Sequence, residues 1–292
     1  MMKDVKDAHR DLIEPAVQGT MNVLKECAKL RKTQSNNDPS RLQRIVLTSS
    51  IASLAESAQP NKVYDEKDWN EESTPDRNPY LYSKTIAEKS AWNFMKELEE
   101  THGKNYLELV TILPSVVIGP PLNPNLISQS HESLMLMAKG EFPVILPLDF
   151  AFVDVRDVAL SHILAMEYQM EDSSKFSPSK MERFVISGGQ TIAMKDLVNH
   201  MRKSFPNPPF VWSNNLPTLN LPFYLGLGIG KVAALIQPKG LRQYLNSILG
   251  KPQYFSNKKA RNVLGIEFLD WEQSVRDSVS FLDSNGFILS KM

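Results

Sequence analysis

Two short and mainly apolar runs, separated by a helical pattern, most strongly constrain how this chain can fold. Residues 45–47 are all apolar, and residues 109–113 are apolar except for Thr111, within a predicted strand at residues 107–118. Uninterrupted apolar runs are typical of parallel strands that are buried on both faces. Between the two runs, apolar residues recur at helical spacing over residues 80–101. A strand, a helix and a strand in this order predict a βαβ unit and a parallel sheet.

The rest of the chain continues this alternation. Helical spacing of apolar residues predicts three more helices, at residues 11–31, 127–139 and 157–169. Short apolar runs predict two more strands, at residues 150–153 and 183–187, and a polar stretch at residues 36–40 predicts a loop. The sequence therefore predicts an α/β fold, with a smaller lobe that begins after about Gly119 and is interleaved with the main sheet.

Composition excludes several classes of function. The 292 residues carry 33 Lys+Arg and 33 Asp+Glu, and because no basic stripe stands out, nucleic acid is not an expected partner. Cys27 is the single cysteine, which excludes an internal disulfide and favours a reducing, cytoplasmic location. The histidines show no metal-ligand spacing, and no apolar stretch approaches the roughly 18 residues of a spanning helix, so neither a metal nor a membrane is expected.

Tyr80 and Lys84 are the residues with the clearest chemical potential. They are four positions apart at the start of a predicted helix, so their side chains share one face. A phenol is a poor acid or base at neutral pH, and a lysine cation one turn away is expected to lower the pKa of Tyr80. Such a pair can exchange a proton with an alcohol or a carbonyl, although the same spacing also occurs on ordinary helix faces.

Small residues beyond the ends of the two buried strands add context to this pair. Ser49 and Ser50 follow the first strand, at the edge of a parallel sheet where ligands bind. The hydroxyl of Ser50 could hold a substrate oxygen beside the phenol; alternatively, it satisfies local backbone groups in a turn. Pro114 and the Gly119-Pro120 pair suit a rigid wall against a planar ring, or a simple turn.

These strings together resemble the extended short-chain dehydrogenases/reductases. The similarity is carried by TSS at residues 48–50, YxxSK at 80–84, PSVVIGP at 114–120 and FVDVRDVA at 152–159. The string NPYLYSK at residues 78–84 is similar to the NWYCYGK signature of cinnamoyl-CoA reductases, in the branch that includes dihydroflavonol reductases and yeast-type carbonyl reductases. The resemblance covers most of the chain.

The resemblance implies a Rossmann-like, doubly wound parallel sheet with a smaller C-terminal substrate lobe. Residues 1–120 would be the remaining half of a dinucleotide-binding domain, with a returning strand near residues 150–190, and residues 121–292 would be mainly the lobe. The implied reaction interconverts a small-molecule alcohol and an aldehyde or ketone with NADP or NAD, and family members commonly form homodimers. Arg156 and Asp157 are expected to anchor the lobe rather than to touch substrate.

The resemblance also implies a role for each candidate residue. Tyr80 would be the general acid/base, Ser50 would orient the substrate carbonyl, and Lys84 would lower the pKa of Tyr80 and bind the nicotinamide ribose. The remaining cofactor contacts would be Ser49, Pro114 and Val117.

One departure from the family pattern leaves other functions open. The strand, glycine-rich turn and helix that grip the pyrophosphate are not found, and the Gly226, Gly228 and Gly230 run follows no buried strand. We therefore expect an N-terminally truncated pattern, in which the strand at residues 45–48 is an unpaired apolar edge. The alternatives are a catalytically inactive binding protein, or an enzyme similar to 3β-hydroxysteroid dehydrogenases, which the apolar residues 221–236 suggest.

Overall fold

The computed structural model describes residues 5, 7–35, 38, 40–103, 106–167 and 181–288. Its strands are β1 (Arg44–Thr48), β2 (Val63–Tyr64), β3 (Glu108–Pro114), β4 (Val116–Ile118), β5 (Val144–Ile145), β6 (Asp149–Asp154), β7 (Met181–Ile186), β8 (Thr191–Ala193), β9 (Leu219–Asn220) and β10 (Tyr254–Phe255). Its α-helices are α1 (Glu14–Thr33), α2 (Pro79–His102), α3 (Gln129–Ala138), α4 (Val155–Glu167), α5 (Met194–Ser204), α6 (Phe223–Leu235), α7 (Lys239–Ile248) and α8 (Trp271–Ser284). Short turns of other helix types lie at His9–Ile13, Ile51–Ser53, Val211–Asn215 and Ala260–Leu264.

A three-stranded parallel sheet lies at the centre, in the order β1-β3-β7. Strand β3 is buried from Leu109 onward, as its mainly apolar run predicts. Strand β1 ends the order and pairs only with β3 among the described strands, and its residues are half-buried or exposed. The sheet confirms the predicted parallel α/β fold and the edge position of residues 45–48.

The two faces of this sheet are covered by different helices. Leu109 packs with Leu24 of α1 and with Ala91 and Met95 of α2. The next residue, Val110, points to the opposite face, where it packs with Ala165 of α4. Because successive side chains of a strand alternate between faces, helices on both sides bury the strand completely, which is the doubly wound arrangement.

The predicted strand at residues 107–118 is two strands rather than one. Pro114 ends β3 opposite Ile186, and the backbone N–H of Ser115 still donates to the Ile186 carbonyl at 2.9 Å. From Val116 the chain pairs instead with β6, which belongs to a second sheet in the order β4-β6-β8. A proline lacks the N–H that would continue a ladder, so the chain changes partner at this position.

Charged residues at the end of β6 and the start of α4 hold α8 of the lobe against α4. Arg156 donates to Asp154 through two nitrogens and to Asp277 of α8, and Asp157 accepts the backbone N–H of Leu269. These contacts confirm the anchoring expected of Arg156 and Asp157. They hold α8 against α4, beside a lobe core formed mainly by α3, α5 and α8.

The predicted helices at residues 11–31, 80–101 and 127–139 are confirmed, with small shifts at their ends. Residues 168–169 of the fourth predicted helix lie outside the described residues, as do residues 36, 37 and 39 of the predicted loop. Among the described helices, none is long and apolar enough to cross a membrane.

Candidate active site

The start of α2 presents Tyr80 and Lys84. Asn78 adopts a left-handed conformation (φ 51°), which turns the chain into the helix, and Pro79 occupies the first helical turn, where a missing N–H costs little. The hydroxyl of Ser83 donates to the Tyr80 carbonyl at 2.7 Å. Lys84 Nζ lies 5.8 Å from the centroid of the Tyr80 ring, and both residues are half-buried. The structure therefore brings this pair together on one face of the helix.

Burial raises the pKa of Tyr80 above its ordinary value. The lowered pKa predicted for Tyr80 is therefore wrong for the chain as described, because burial outweighs any contribution of Lys84. The physical reason is that transfer of the phenol out of water disfavours the phenolate, and an ammonium group 5.8 Å from the ring centroid does not offset this cost. Tyr80 is consequently protonated at neutral pH, which is the form that can donate a proton to a carbonyl oxygen.

The two serines after β1 have different surroundings. Ser50 precedes the short helix Ile51–Ser53 and its Oγ accepts the backbone N–H of Ala52 at 3.2 Å. This local contact is the turn role that the sequence leaves open for Ser50, and it uses the hydroxyl oxygen but not its proton. Ser49 instead donates its hydroxyl to Glu88 Oε2 of α2 at 2.5 Å.

Glu88 and Arg183 form a buried ion pair that the sequence analysis does not identify. Arg183 Nε donates to Glu88 Oε1 at 2.8 Å, and both side chains are at most 3% exposed. The same carboxylate accepts hydroxyls from Ser49, Ser53 and Thr111. We call these five residues the Glu88 cluster. It joins α2, β3, β7 and the serine turn, so it fixes Ser50 and Lys84 relative to the sheet.

The junction between β3 and β4 contains an orphaned polar atom. Ser115 is 7% exposed, and its buried Oγ has no hydrogen-bond partner among the described residues. It stands between Pro114, which is buried at the end of β3, and Val116; Val117 follows, half-buried and opposite Val153. A buried hydroxyl without a partner is costly, so a ligand that supplies one would be favoured here.

Helix α7 of the lobe packs on the loop that opens α2. Gln243 Nε2 donates to the Asp76 carbonyl at 2.8 Å, and Gln243 Oε1 accepts the backbone N–H of Asn78 at 3.3 Å. The next residue, Tyr244, lies near Tyr80. Burial, and to a smaller extent the nearby Tyr80 phenol, raises the pKa of Tyr244. Sequence reasoning misses both residues, since nothing near them in sequence indicates contact with a segment 165 positions away.

The glycine runs do not form a phosphate-binding turn among the described residues. Gly226, Gly228 and Gly230 lie inside α6, and Gly226 and Gly230 are buried against the lobe. Gly189 has a positive φ of 83°, but a Cβ there would lie 2.9 Å from Asn257 Nδ2, so its backbone is in contact with a side chain. The described residues therefore show no glycine-rich strand-to-helix turn.

Residues 4–176 match the family described as NAD dependent epimerase/dehydratase. The chain belongs to this family. Cinnamoyl-CoA reductase CAD2 of Medicago truncatula is 41% identical over 170 residues, which cover 56% of this chain and 46% of that protein. Cinnamoyl-CoA reductase 1 of Arabidopsis thaliana is 29% identical over 290 residues, which cover 97% of this chain and 67% of that protein. The chain thus spans about half to two thirds of the length of these curated relatives.

Solved structures confirm the fold that the family implies. The Gre2 protein of Candida albicans, in complex with NADPH, superposes with a TM-score of 0.66 at 26% identity, over 97% of this chain and 74% of that chain. The yeast methylglyoxal/isovaleraldehyde reductase Gre2, also complexed with NADPH, gives the same TM-score at 26% identity, over 98% and 75%. The fold of the chain is therefore that of the extended reductases.

Proposed function

We propose that the chain is a reductase that uses NADPH or NADH to convert a small-molecule aldehyde or ketone to an alcohol. The observation that carries this proposal is the Tyr80–Lys84 pair on one face of α2, next to the serine turn that the Glu88 cluster holds. Family membership and the reductase names of the relatives support the reaction class. The NADPH in both Gre2 structures makes NADPH the first cofactor to test.

Three residues of the site have distinct proposed roles. Tyr80 donates its phenolic proton to the substrate oxygen, for which its raised pKa keeps it in the protonated form. Ser50 retains a hydroxyl proton that can point at the same oxygen, because only its lone pair is used by Ala52. Lys84 is proposed to bind the nicotinamide ribose and to stabilise the phenolate that remains after proton transfer.

The residues at the β3–β4 junction fit the nicotinamide end of the cofactor. A bound reduced nicotinamide would supply the hydride. We propose that Pro114 and Val117 contact its ring and that the orphaned Ser115 hydroxyl bonds its amide group. Ser49, whose hydroxyl is bound to Glu88, would act on the cofactor only through the position of the turn.

The test compares Tyr80→Phe with the unaltered chain in NADPH-dependent reduction of methylglyoxal, isovaleraldehyde and cinnamoyl-CoA. We expect turnover to fall by about 10²–10⁴-fold, as for removal of a general acid, with no change in the melting temperature. Tyr82→Phe, which removes the hydroxyl of another half-buried tyrosine on α2, is the matched control and should retain activity.

Three outcomes would contradict the proposal. Equal turnover by Tyr80→Phe would remove Tyr80 from the chemistry. Absence of turnover in the unaltered chain, with a biological role that survives Tyr80→Phe, would favour the binding-protein alternative. Oxidation of a 3β-hydroxysteroid without aldehyde reduction would favour the steroid alternative.

A further inference from the structure

Helix α6 points its large apolar side chains away from the protein. These outward residues share one side of the helix and are from 38% to 85% exposed: Tyr224, Leu225, Ile229, Val232 and Leu235, followed by Ile236 just after the last turn. We call this surface the α6 outer face. Isolated exposed apolar residues are ordinary on proteins, but a contiguous apolar surface marks an interaction site.

The inner side of the same helix consists of small residues. Gly226, Gly230 and Ala234 recur every four positions and are buried against the lobe. A Cβ at Gly230 would lie only 2.7 Å from Leu249 Cδ2, so the helix backbone approaches the lobe too closely for a larger side chain. The small side of α6 therefore packs closely on the lobe, and the large residues lie on the opposite, outer side.

The segment of sequence that contains α6 carries charges of one sign. Residues 197–266 contain no Asp or Glu, although the whole chain has 33 acidic residues. The same segment contains nine Lys and Arg: Arg202, Lys203, Lys231, Lys239, Arg242, Lys251, Lys258, Lys259 and Arg261. Lys231, Lys239 and Lys251 are exposed, and in the described part of the chain they form no ion pair. Lys231 lies within α6 itself, and Lys239 follows Ile236 by three residues.

We propose that the α6 outer face docks the protein on the surface of an anionic lipid bilayer. An amphipathic helix with large apolar residues and flanking lysines inserts its apolar side at the headgroup boundary, and the lysines add attraction to anionic lipids. Thirteen residues span about 20 Å, which suits a helix lying in the interface and not one crossing it. A second copy of the chain fits less well, because a two-fold contact would bring like-charged lysines together.

This inference does not depend on the proposed reaction, so its test uses binding alone. The full chain is sedimented with vesicles of phosphatidylcholine and with vesicles that contain 30% phosphatidylserine. We expect binding to the anionic vesicles that weakens as salt is raised, and little binding to the neutral vesicles. The triple variant Leu225→Ser, Val232→Ser, Leu235→Ser should lose at least tenfold in partition coefficient.

The matched control is Leu160→Ser, Ile163→Ser, Met166→Ser, which removes three apolar residues of comparable exposure from α4. It should sediment as the unaltered chain does, and both variants should keep the far-ultraviolet circular dichroism of the folded protein. The variant Lys231→Gln, Lys239→Gln, Lys251→Gln should bind anionic vesicles more weakly, by about fivefold for each charge removed.

Three results would overturn the proposal. They are an absence of sedimentation with anionic vesicles, binding that the α6 triple variant retains, or binding that is equal for neutral and anionic vesicles. A dimer in analytical ultracentrifugation that only the α6 triple variant abolishes would assign the face to a second copy of the chain instead.

Discussion

The candidate site has two sides that are held in very different ways. On the sheet side, the Glu88 cluster joins four segments through a buried ion pair and three hydroxyl hydrogen bonds to one carboxylate. On the lobe side, Gln243 of α7 holds the loop before α2 by two hydrogen bonds to backbone atoms. The difference teaches that the positions of Ser50 and Lys84 are fixed by the sheet, whereas the lobe contacts can change without moving them.

The energies of the two sides differ accordingly. A buried charge that loses its partner is left without compensation in a low-dielectric interior, which costs about 3–5 kcal/mol. A hydrogen bond from a partly exposed amide side chain contributes only about 1 kcal/mol. Variants that remove single contacts should therefore show that the sheet side determines stability and that the lobe side determines substrate preference.

Arg183→Met should give the largest effect. It leaves the Glu88 carboxylate buried with only hydroxyl partners, so we expect a loss of about 3–5 kcal/mol in the free energy of unfolding. Chemical denaturation monitored by circular dichroism measures this loss. Lys29→Met, which breaks an ion pair whose side chains are about 70% exposed, is the control and should change the same free energy by less than about 0.5 kcal/mol.

The double variant Glu88→Leu, Arg183→Met sharpens this result. Because it removes both charges, it should recover much of the stability that Arg183→Met loses. If the double variant were as unstable as the single one, the cluster would act through packing and hydrogen bonds, and the charge argument would fail.

Lys84→Met should affect catalysis more than stability. The methionine keeps the apolar stem but removes the ammonium group, so we expect kcat/KM with NADPH to fall by about 10²-fold. Steady-state kinetics and a melting curve measure the two quantities together. Lys96→Met changes an exposed lysine of the same helix and should leave both quantities unaltered. A fall in the melting temperature that accounts for the lost activity would count against a direct role.

Changes on the lobe side should be smaller and should depend on the substrate. Gln243→Ala removes two backbone contacts, and Tyr244→Phe removes a hydroxyl near Tyr80, so each should change KM for bulky carbonyls by about tenfold or less. The measurement is the ratio of kcat/KM for cinnamoyl-CoA to that for methylglyoxal. A uniform loss for all substrates, with kcat reduced, would show that the lobe side also positions the reacting groups.

Loss of the ion pair between Arg156 and Asp154 should have the smallest effect, and this effect should depend on pH. Burial disfavours the Asp154 carboxylate, but hydrogen bonds from Arg156 and Ser274 outweigh this and lower its pKa. Its stabilisation is therefore present above the unfolded pKa near 4 and is lost as pH falls through the lower folded pKa. Arg156→Met should cost about 1 kcal/mol at pH 7, since Arg156 is partly exposed, and the difference should shrink below pH 4. A loss of stability in Arg156→Met that did not change with pH would contradict this prediction.

Sequence patterns predict those structural features that depend on residues close together in the chain. The apolar runs of β1 and β3 and the helical spacing of α2 give the strands, the helix and the shared face of Tyr80 and Lys84. Two local details were missed or reversed: Pro114 divides one predicted strand into two, and burial raises the pKa of Tyr80. The sign of that pKa depends on what covers the phenol, which is decided by packing in three dimensions.

Long-range pairs could not be found in the same way. Glu88 and Arg183 are 95 positions apart, and each stands in a segment where apolar residues dominate the pattern. Gln243 reaches Asn78 across 165 positions. Without a spacing rule that links such residues, their partners follow only from the fold.

The passage of the chain from β3 to β4 through the single residue Ser115 limits the motion available to the molecule. One residue offers only two backbone torsions, and the Gly188 N–H donates to Phe152 across the same boundary. A hinge of the usual open-and-closed kind would therefore have only these two torsions to bend at this junction. Under the proposed function, motion that admits a substrate is expected in side chains and in α6 and α7 rather than at the junction.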